Sequence, residues 1–181
     1  MIFLREIFAH ICGLQHVWTL GGVTLPFCQR CTGLYVGSTL ALVMLLALRP
    51  RPDRFQYWLH GTFLLLMVPY GFHLVPQGSI LRTLTGFLFG FGLVYYLALN
   101  PLTAWDFWKP ANVTRSTAYV LAVFATLSAL LVLLYVGNPV VAVALTVIGT
   151  AGFVMLCLLI LANLAVLPRT FHQISARTHP A

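Results

Sequence analysis

The sequence predicts an all-α, polytopic integral membrane protein with about five transmembrane helices, and three observations carry that prediction. Of its 181 residues, 60% are apolar. Only 7% are Asp, Glu, Lys or Arg, where a soluble domain carries roughly 25%, too few to build a water-facing surface. The apolar residues also gather into runs of about 20, the length that crosses a bilayer as a helix.

The runs come in order with clear punctuation. The first covers 31–49 and stops at "PRPDR"; the second covers 57–75 and is followed by "PQGS". The third, 80–99, is closed by "NP", and the fourth, 117–136, by "GNP". The fifth, 139–167, is long enough to tilt and is expected to end at Pro168. Residues 1–20 are interrupted by Arg5, Glu6 and His10, with Gly21-Gly22 beyond, and read as an interfacial or re-entrant helix. Three parts result: a Cys/His segment over 1–30, a helix bundle over 31–167, and a polar tail over 168–181 holding His172 and His179. The start, "MIFLREIFAHICGL", has charges within its apolar stretch and no small-residue cleavage site, so it is expected to be retained.

Orientation follows from the basic residues. Five crossings put Arg49, Arg51, Arg54, Lys109, Arg115, Arg169 and Arg177 on one side, and Arg5, Arg30 and Arg82 on the other. The richer side is cytoplasmic by the positive-inside rule, which leaves residues 1–30 outside and the C-terminus inside. Tyr57, Trp58, Trp105 and Trp108 suit an interfacial aromatic belt. The Asn112-Val113-Thr114 sequon falls inside and is discounted. The net charge of +7 comes without basic blocks or aromatic-basic interleaving, so no nucleic-acid surface is expected.

The chemistry-bearing residues cluster at the outer face. Cys12, His16, Cys28 and Cys31 have the spacing Cys-x3-His-x11-Cys-x2-Cys, with His10 and His73 as further ligand candidates. Two thiolates from one turn and a pair from another segment complete a tetrahedron for zinc, and thiolates also suit copper. A redox dithiol competes with this reading, because a helix N-terminus and Arg30 stabilise a thiolate. A structural disulfide from Cys12 to Cys28 or Cys31 is the plainest reading. Cys157, mid-helix, reads as a small apolar filler.

A second pattern is independent of the cysteines. "RCTGLYVG" opens the first helix and "RTLTGFLFG" the third. Each offers Arg, Thr-Gly and Gly-x3-Gly: Arg30, Thr32, Gly33 and Gly37, then Arg82, Thr85, Gly86 and Gly90. Both helices start outside and so run parallel. The glycines permit close packing, within the bundle or against partner subunits. The two arginines at helix starts would attract an anion, a lipid phosphate or a quinone carbonyl, or find carbonyls in a turn. His60 reads as an interfacial or helix-bridging residue. No charged residue sits in mid-span, which argues against a transporter.

These motifs resemble those of a family of small predicted membrane proteins of prokaryotes, DUF2085. The resemblance runs over roughly residues 8–95, through Cys12, Cys28, Arg30, Cys31, Thr32, Gly33, Tyr35 and Gly37, then Arg82, Thr85, Gly86 and Gly90. The family's Cys-His-Gln is loosened here to "CGLQHV", with Gln15 and His16 in place of the pair, and His73 stands where an acidic residue is expected. The resemblance implies a multi-pass protein of the prokaryotic cell (inner) membrane with a shared outer-face site. Three function classes remain open. One is a metal-binding, non-catalytic module or complex subunit holding Zn or Cu. Another is a thiol–disulfide oxidoreductase coupled to quinone, and the third a lipid-binding scaffold with a disulfide staple.

Overall fold

Local chemistry sets the element boundaries. The computed structural model describes residues 6, 8–10, 16–72, 74–104 and 113–178. Strands β1 (Val17–Leu20) and β2 (Val23–Cys28) precede helices α1 (Gln29–Leu48), α2 (Arg54–Leu65), α3 (Met67–Gly71), α4 (Ser79–Ala104), α5 (Val113–Val136) and α6 (Pro139–Thr178). Arg49 closes α1 in a left-handed conformation (φ 47°), and Pro50 follows, unable to continue the helix. The Asp53 carboxylate caps α2 by accepting from the Gln56 N–H at 2.8 Å. The "GNP" at 137–139 is a complete hinge. Gly137 (φ 65°) ends α5, Asn138 Oδ1 accepts the Val140 N–H at 2.8 Å, and Pro139 takes the first helical position, where its missing N–H costs nothing.

Among the described residues, four helical stretches are long and apolar enough to cross a membrane: Gln29–Leu48, Ser79–Leu99, Arg115–Val136 and Pro139–Val166. The run expected over 57–75 is the exception. It forms α2 and α3, broken at Leu66, because Pro69 offers no N–H to the Leu65 carbonyl and its ring crowds that oxygen. Two other prolines do not act as expected. α4 continues past Pro101, and α6 past Pro168 to Thr178, since one proline removes one bond from a ladder already nucleated. For Pro101 the replacement is visible. Its missing N–H would have served the Leu97 carbonyl, and Asn163 Nδ2, from α6, donates to that oxygen at 2.6 Å.

Helices α1 and α4 form the centre. A Cβ on Gly37 would stand 2.6 Å from Phe87 O, and one on Gly90 2.5 Å from Leu34 O; Gly33 and Gly86 meet the carbonyls of Thr83 and Arg30. Rising numbers on one helix meet rising numbers on the other, so the pair is parallel, as the repeated motif implied. All four glycines are buried in this contact. That corrects their reading as a partner-subunit face: the backbone of the same chain already occupies it. Helix α6 crosses α1 at Gly152, under Tyr35 O, where Thr39 Oγ1 donates to Ile148 O at 2.8 Å. Helix α2 lies antiparallel to α4, with His60 O over Gly92 and Tyr96 O–H donating to Tyr57 O at 2.6 Å. Exposed Leu, Val and Phe side chains on α5 and α6 suit a lipid-facing exterior.

The segment before α1 differs from the sequence reading. Residues 17–28 form an antiparallel hairpin, pairing Val17 with Cys28, Thr19 with Thr24 and Leu20 with Val23. The turn is Gly21-Gly22, both at positive φ (54° and 83°), the backbone that a two-residue primed turn requires. Residues 8–10 are helical and 17–20 are strand, so the helix expected over 1–20 is not continuous. The residues between them lie outside the described ones.

Candidate functional site at the hairpin end

A hairpin of two strands is marginal alone, and this one is held by the helix ends beneath it. Leu25 and Phe27 are wholly buried, and Phe27 packs on Gly149 of α6. Phe8, Phe27, Tyr35 and Phe153 make a ring cluster with centroids 4.6–5.6 Å apart. The tip, Gly21, meets Pro139 at the start of α6. Trp18 Nε1 donates to Thr83 Oγ1 at 2.9 Å. The Thr83 hydroxyl lies 3.1 Å from both Gln29 O and Ser79 O, and Gln29 Nε2 donates to Ser79 Oγ at 2.9 Å. Hairpin, α1 and α4 are thus joined by one polar seam.

The hairpin delivers Cys28 to the N-cap of α1. Its sulfur accepts from the Cys31 N–H at 3.4 Å, meeting one of the backbone donors left open at a helix start. The Gln29 N–H donates to His16 O at 2.7 Å, so the backbone of His16 lies beside Cys28 while its side chain is exposed. Cys28 and Cys31 are half-buried. His10 is exposed, its Nδ1 2.9 Å from Glu6 O. Among the described residues no three His, Cys, Asp or Glu side chains are grouped to hold a metal ion. Cys12 and His73, both expected near this face, lie outside the described residues, as do Trp105 and Trp108.

The arginines meet different surroundings. One Arg30 Nη donates to Tyr70 O at 2.8 Å and to Gln77 Oε1 at 3.0 Å, so a backbone carbonyl of α3 and a side-chain carbonyl from the segment after it meet this group. The Arg30 Nε is buried without a hydrogen-bond partner among the described residues, and so is that of Arg82. Arg30 O lies against Gly86, one turn along from Arg82, so both arginines leave the same layer of the α1–α4 pair. The threonines serve the helices themselves. Thr32 Oγ1 donates to Cys28 O at 3.1 Å, and Thr85 Oγ1 lies 2.9 Å from Leu81 O and 3.1 Å from Arg82 O. With the hydroxyls engaged on their own backbone, side-chain chemistry toward a ligand falls to the arginines and cysteines.

Three other readings meet the structure. His60 is wholly buried and bridges helices, as expected. Tyr57 and Trp58 are exposed at the far end, as a belt requires. Cys157 is exposed on α6 and does not fill the core: in a lipid-facing position a thiol and an alkyl chain serve alike. Sequence reasoning missed Trp18, Gln29, Ser79 and Thr83. For Trp18 a signal existed, since "VWTL-GG-VTLPFC" is a hairpin pattern. The other three look like ordinary helix-start residues and carry none.

A family model matches residues 13–96: DUF2085, described as a predicted membrane protein. The stretch takes in the hairpin, α1, α2, α3 and most of α4, and so bears out the resemblance carried by the motifs from Cys28 to Gly90, while Cys12 lies just before it. No curated protein and no solved structure matches the chain. The protein is a multi-pass helical membrane protein.

Proposed function

For a chain whose residues 13–96 match the DUF2085 model, we propose a non-catalytic membrane module that binds an anionic phosphate headgroup at its hairpin end. The observation that carries this is the pair of buried Nε atoms on Arg30 and Arg82 that have no hydrogen-bond partner among the described residues. Acidic residues number three in the whole chain. Of these, Glu6 is exposed and Asp53 caps α2 at the other end of the bundle. A guanidinium at the membrane boundary needs a counter-charge or water, and a phosphate oxygen provides both charge and acceptor geometry.

The topology behind this has five crossings, the second being broken. From Arg54 to Gly71 there are 12 residues of α2, Leu66, and 5 of α3, 18 in all. At 1.5 Å per residue these span about 27 Å, close to the roughly 30 Å hydrocarbon core. α2 begins beside Tyr96, and α3 ends beside Arg30, which supports a return across the membrane. With the basic residues counted seven against three, the hairpin end faces outward in the cell membrane.

The cysteines favour a second element of the same site. The Cys31 N–H on Cys28 sulfur sets that sulfur at the start of α1, and a clasp of Cys12, Cys28, Cys31 and His16 around zinc or copper would tie residues 1–16 to α1. The test is one preparation extracted in mild detergent under anaerobic conditions. Native mass spectrometry is expected to find retained anionic phospholipid, lost in Arg82→Gln and reduced in Arg30→Gln. Equal lipid retention in all three would sink the headgroup reading. Metal content and free thiols on the same sample decide the clasp. About one ion per chain, lost in Cys28→Ser/Cys31→Ser, supports it; no ion, with two thiols appearing only after reductant, replaces it by a disulfide.

A further inference from the structure

Away from the hairpin, the far end of the bundle buries a second polar cluster. Gln56 and His60 on α2, Tyr95 on α4 and Tyr119 on α5 are each no more than 1% exposed. His60 organises them. Its Nδ1 is 2.8 Å from Gln56 O, and its Nε2 is 2.9 Å from the Tyr119 hydroxyl. A carbonyl only accepts, so Nδ1 carries the hydrogen, and Nε2 of the neutral ring accepts from Tyr119. The ring also stacks on Tyr95, with centroids 3.9 Å apart and planes 10° apart. His60 is therefore fully satisfied.

Its neighbours are not. Gln56 Nε2, Gln56 Oε1 and the Tyr95 hydroxyl are buried and have no hydrogen-bond partner among the described residues. An unsatisfied buried amide or hydroxyl costs roughly 1–3 kcal/mol, and burial keeps bulk water from relieving it. The three atoms have complementary capacities: a donor, an acceptor, and a hydroxyl able to do either. None carries charge, which disfavours an ion. Aromatic rings close the cluster in, Tyr57 lying 5.9 Å and Tyr96 5.5 Å from Tyr95 between centroids. Any guest is therefore very small.

We infer that Gln56 and Tyr95 bind one internal water molecule at the far end of the bundle. It accepts from Gln56 Nε2–H and from the Tyr95 O–H, and donates to Gln56 Oε1. One molecule thus meets all three orphan groups, matching the roughly three hydrogen bonds typical of buried water. The site joins α2 to α4 through a removable guest, where the seam at the hairpin end uses direct bonds.

The experiment is a substitution cycle read by thermal unfolding in nanodiscs. Gln56→Leu keeps the bulk and removes the amide, and Tyr95→Phe removes only the hydroxyl. A shared water predicts that each lowers the midpoint by about 2–4 °C and that the double variant falls no further than the worse single one. Dry orphan groups predict the reverse: each change raises the midpoint or leaves it in place, and that result overturns the inference. Fully additive losses overturn it as well. Should Gln56→Leu fail to fold, the wild-type protein answers alone, by magnetisation transfer from water to the Gln56 side-chain NH2. Transfer is expected, and its absence rejects the site.

Discussion

Replacing Asn163 by Leu is expected to destabilise the bundle, and the size of the loss should depend on a residue in another helix. Pro101 provides no N–H, so the Leu97 carbonyl lacks its usual intrahelical donor. Asn163 Nδ2 reaches it at 2.6 Å while also lying 2.8 Å from Leu159 O on its own helix. Removing the amide strands Leu97 O in a nonpolar interior. Interhelical bonds in membranes average about 0.6 kcal/mol and reach about 1.7, and an orphaned carbonyl adds toward the upper figure. The expected loss is about 1–2 kcal/mol, or roughly fivefold to thirtyfold in the folding equilibrium. Pro101→Ala restores an N–H to residue 101, which would then donate to Leu97 O itself. In that background Asn163→Leu should cost much less. Reversible unfolding in mixed micelles gives all four stabilities of the cycle. An equal cost with and without Pro101 would refute the reasoning, because the carbonyl would then not be what Asn163 serves.

Other expectations follow from the same geometry. Gly37→Ala should destabilise by about 1–3 kcal/mol through overpacking, since its Cβ would meet Phe87 backbone. Gly78→Ala, with nothing within 4 Å, should be neutral or slightly stabilising, and the two midpoints compared in one detergent check the contrast. Trp18→Phe removes the bond to Thr83; hydrogen exchange of the hairpin amides should quicken about fivefold, the value of a bond of about 1 kcal/mol, with the α5 and α6 amides unchanged. Tyr119→Phe strands His60 Nε2 and should lower the unfolding midpoint, and adding His60→Phe should recover part of the loss.

Hydrophobic runs and punctuation made α1, α4, α5 and the body of α6 legible, because lipid demands about 20 apolar residues whatever the packing. The repeated Arg, Thr-Gly and Gly-x3-Gly motif also yielded the parallel contact, which is backbone geometry and depends only on where side chains are absent. Prolines were read too strongly. Pro101 looked like a stop, but a side chain 66 residues beyond Leu97 meets the freed carbonyl, and no local window contains that residue. Pro69 was read too weakly: it lies inside an apolar run that hydropathy joins across the break. The hairpin was hidden by the same preference for apolar runs, although Gly21-Gly22 marked it. At the site, the cysteines and arginines stood out by residue type, whereas Gln29, Ser79 and Thr83 matter through a helix crossing that sequence spacing does not encode.

The seating of the hairpin tip on Pro139 sets an order of assembly. The ribosome delivers residues 17–28 early, yet the surfaces they rest on, Thr83 and then Pro139 and Gly149, are made later and in sequence. Until α6 has been synthesised and inserted, the strand ending in Cys28 lacks part of its floor. Biogenesis therefore contains an interval in which that thiol is presented on an unfinished surface.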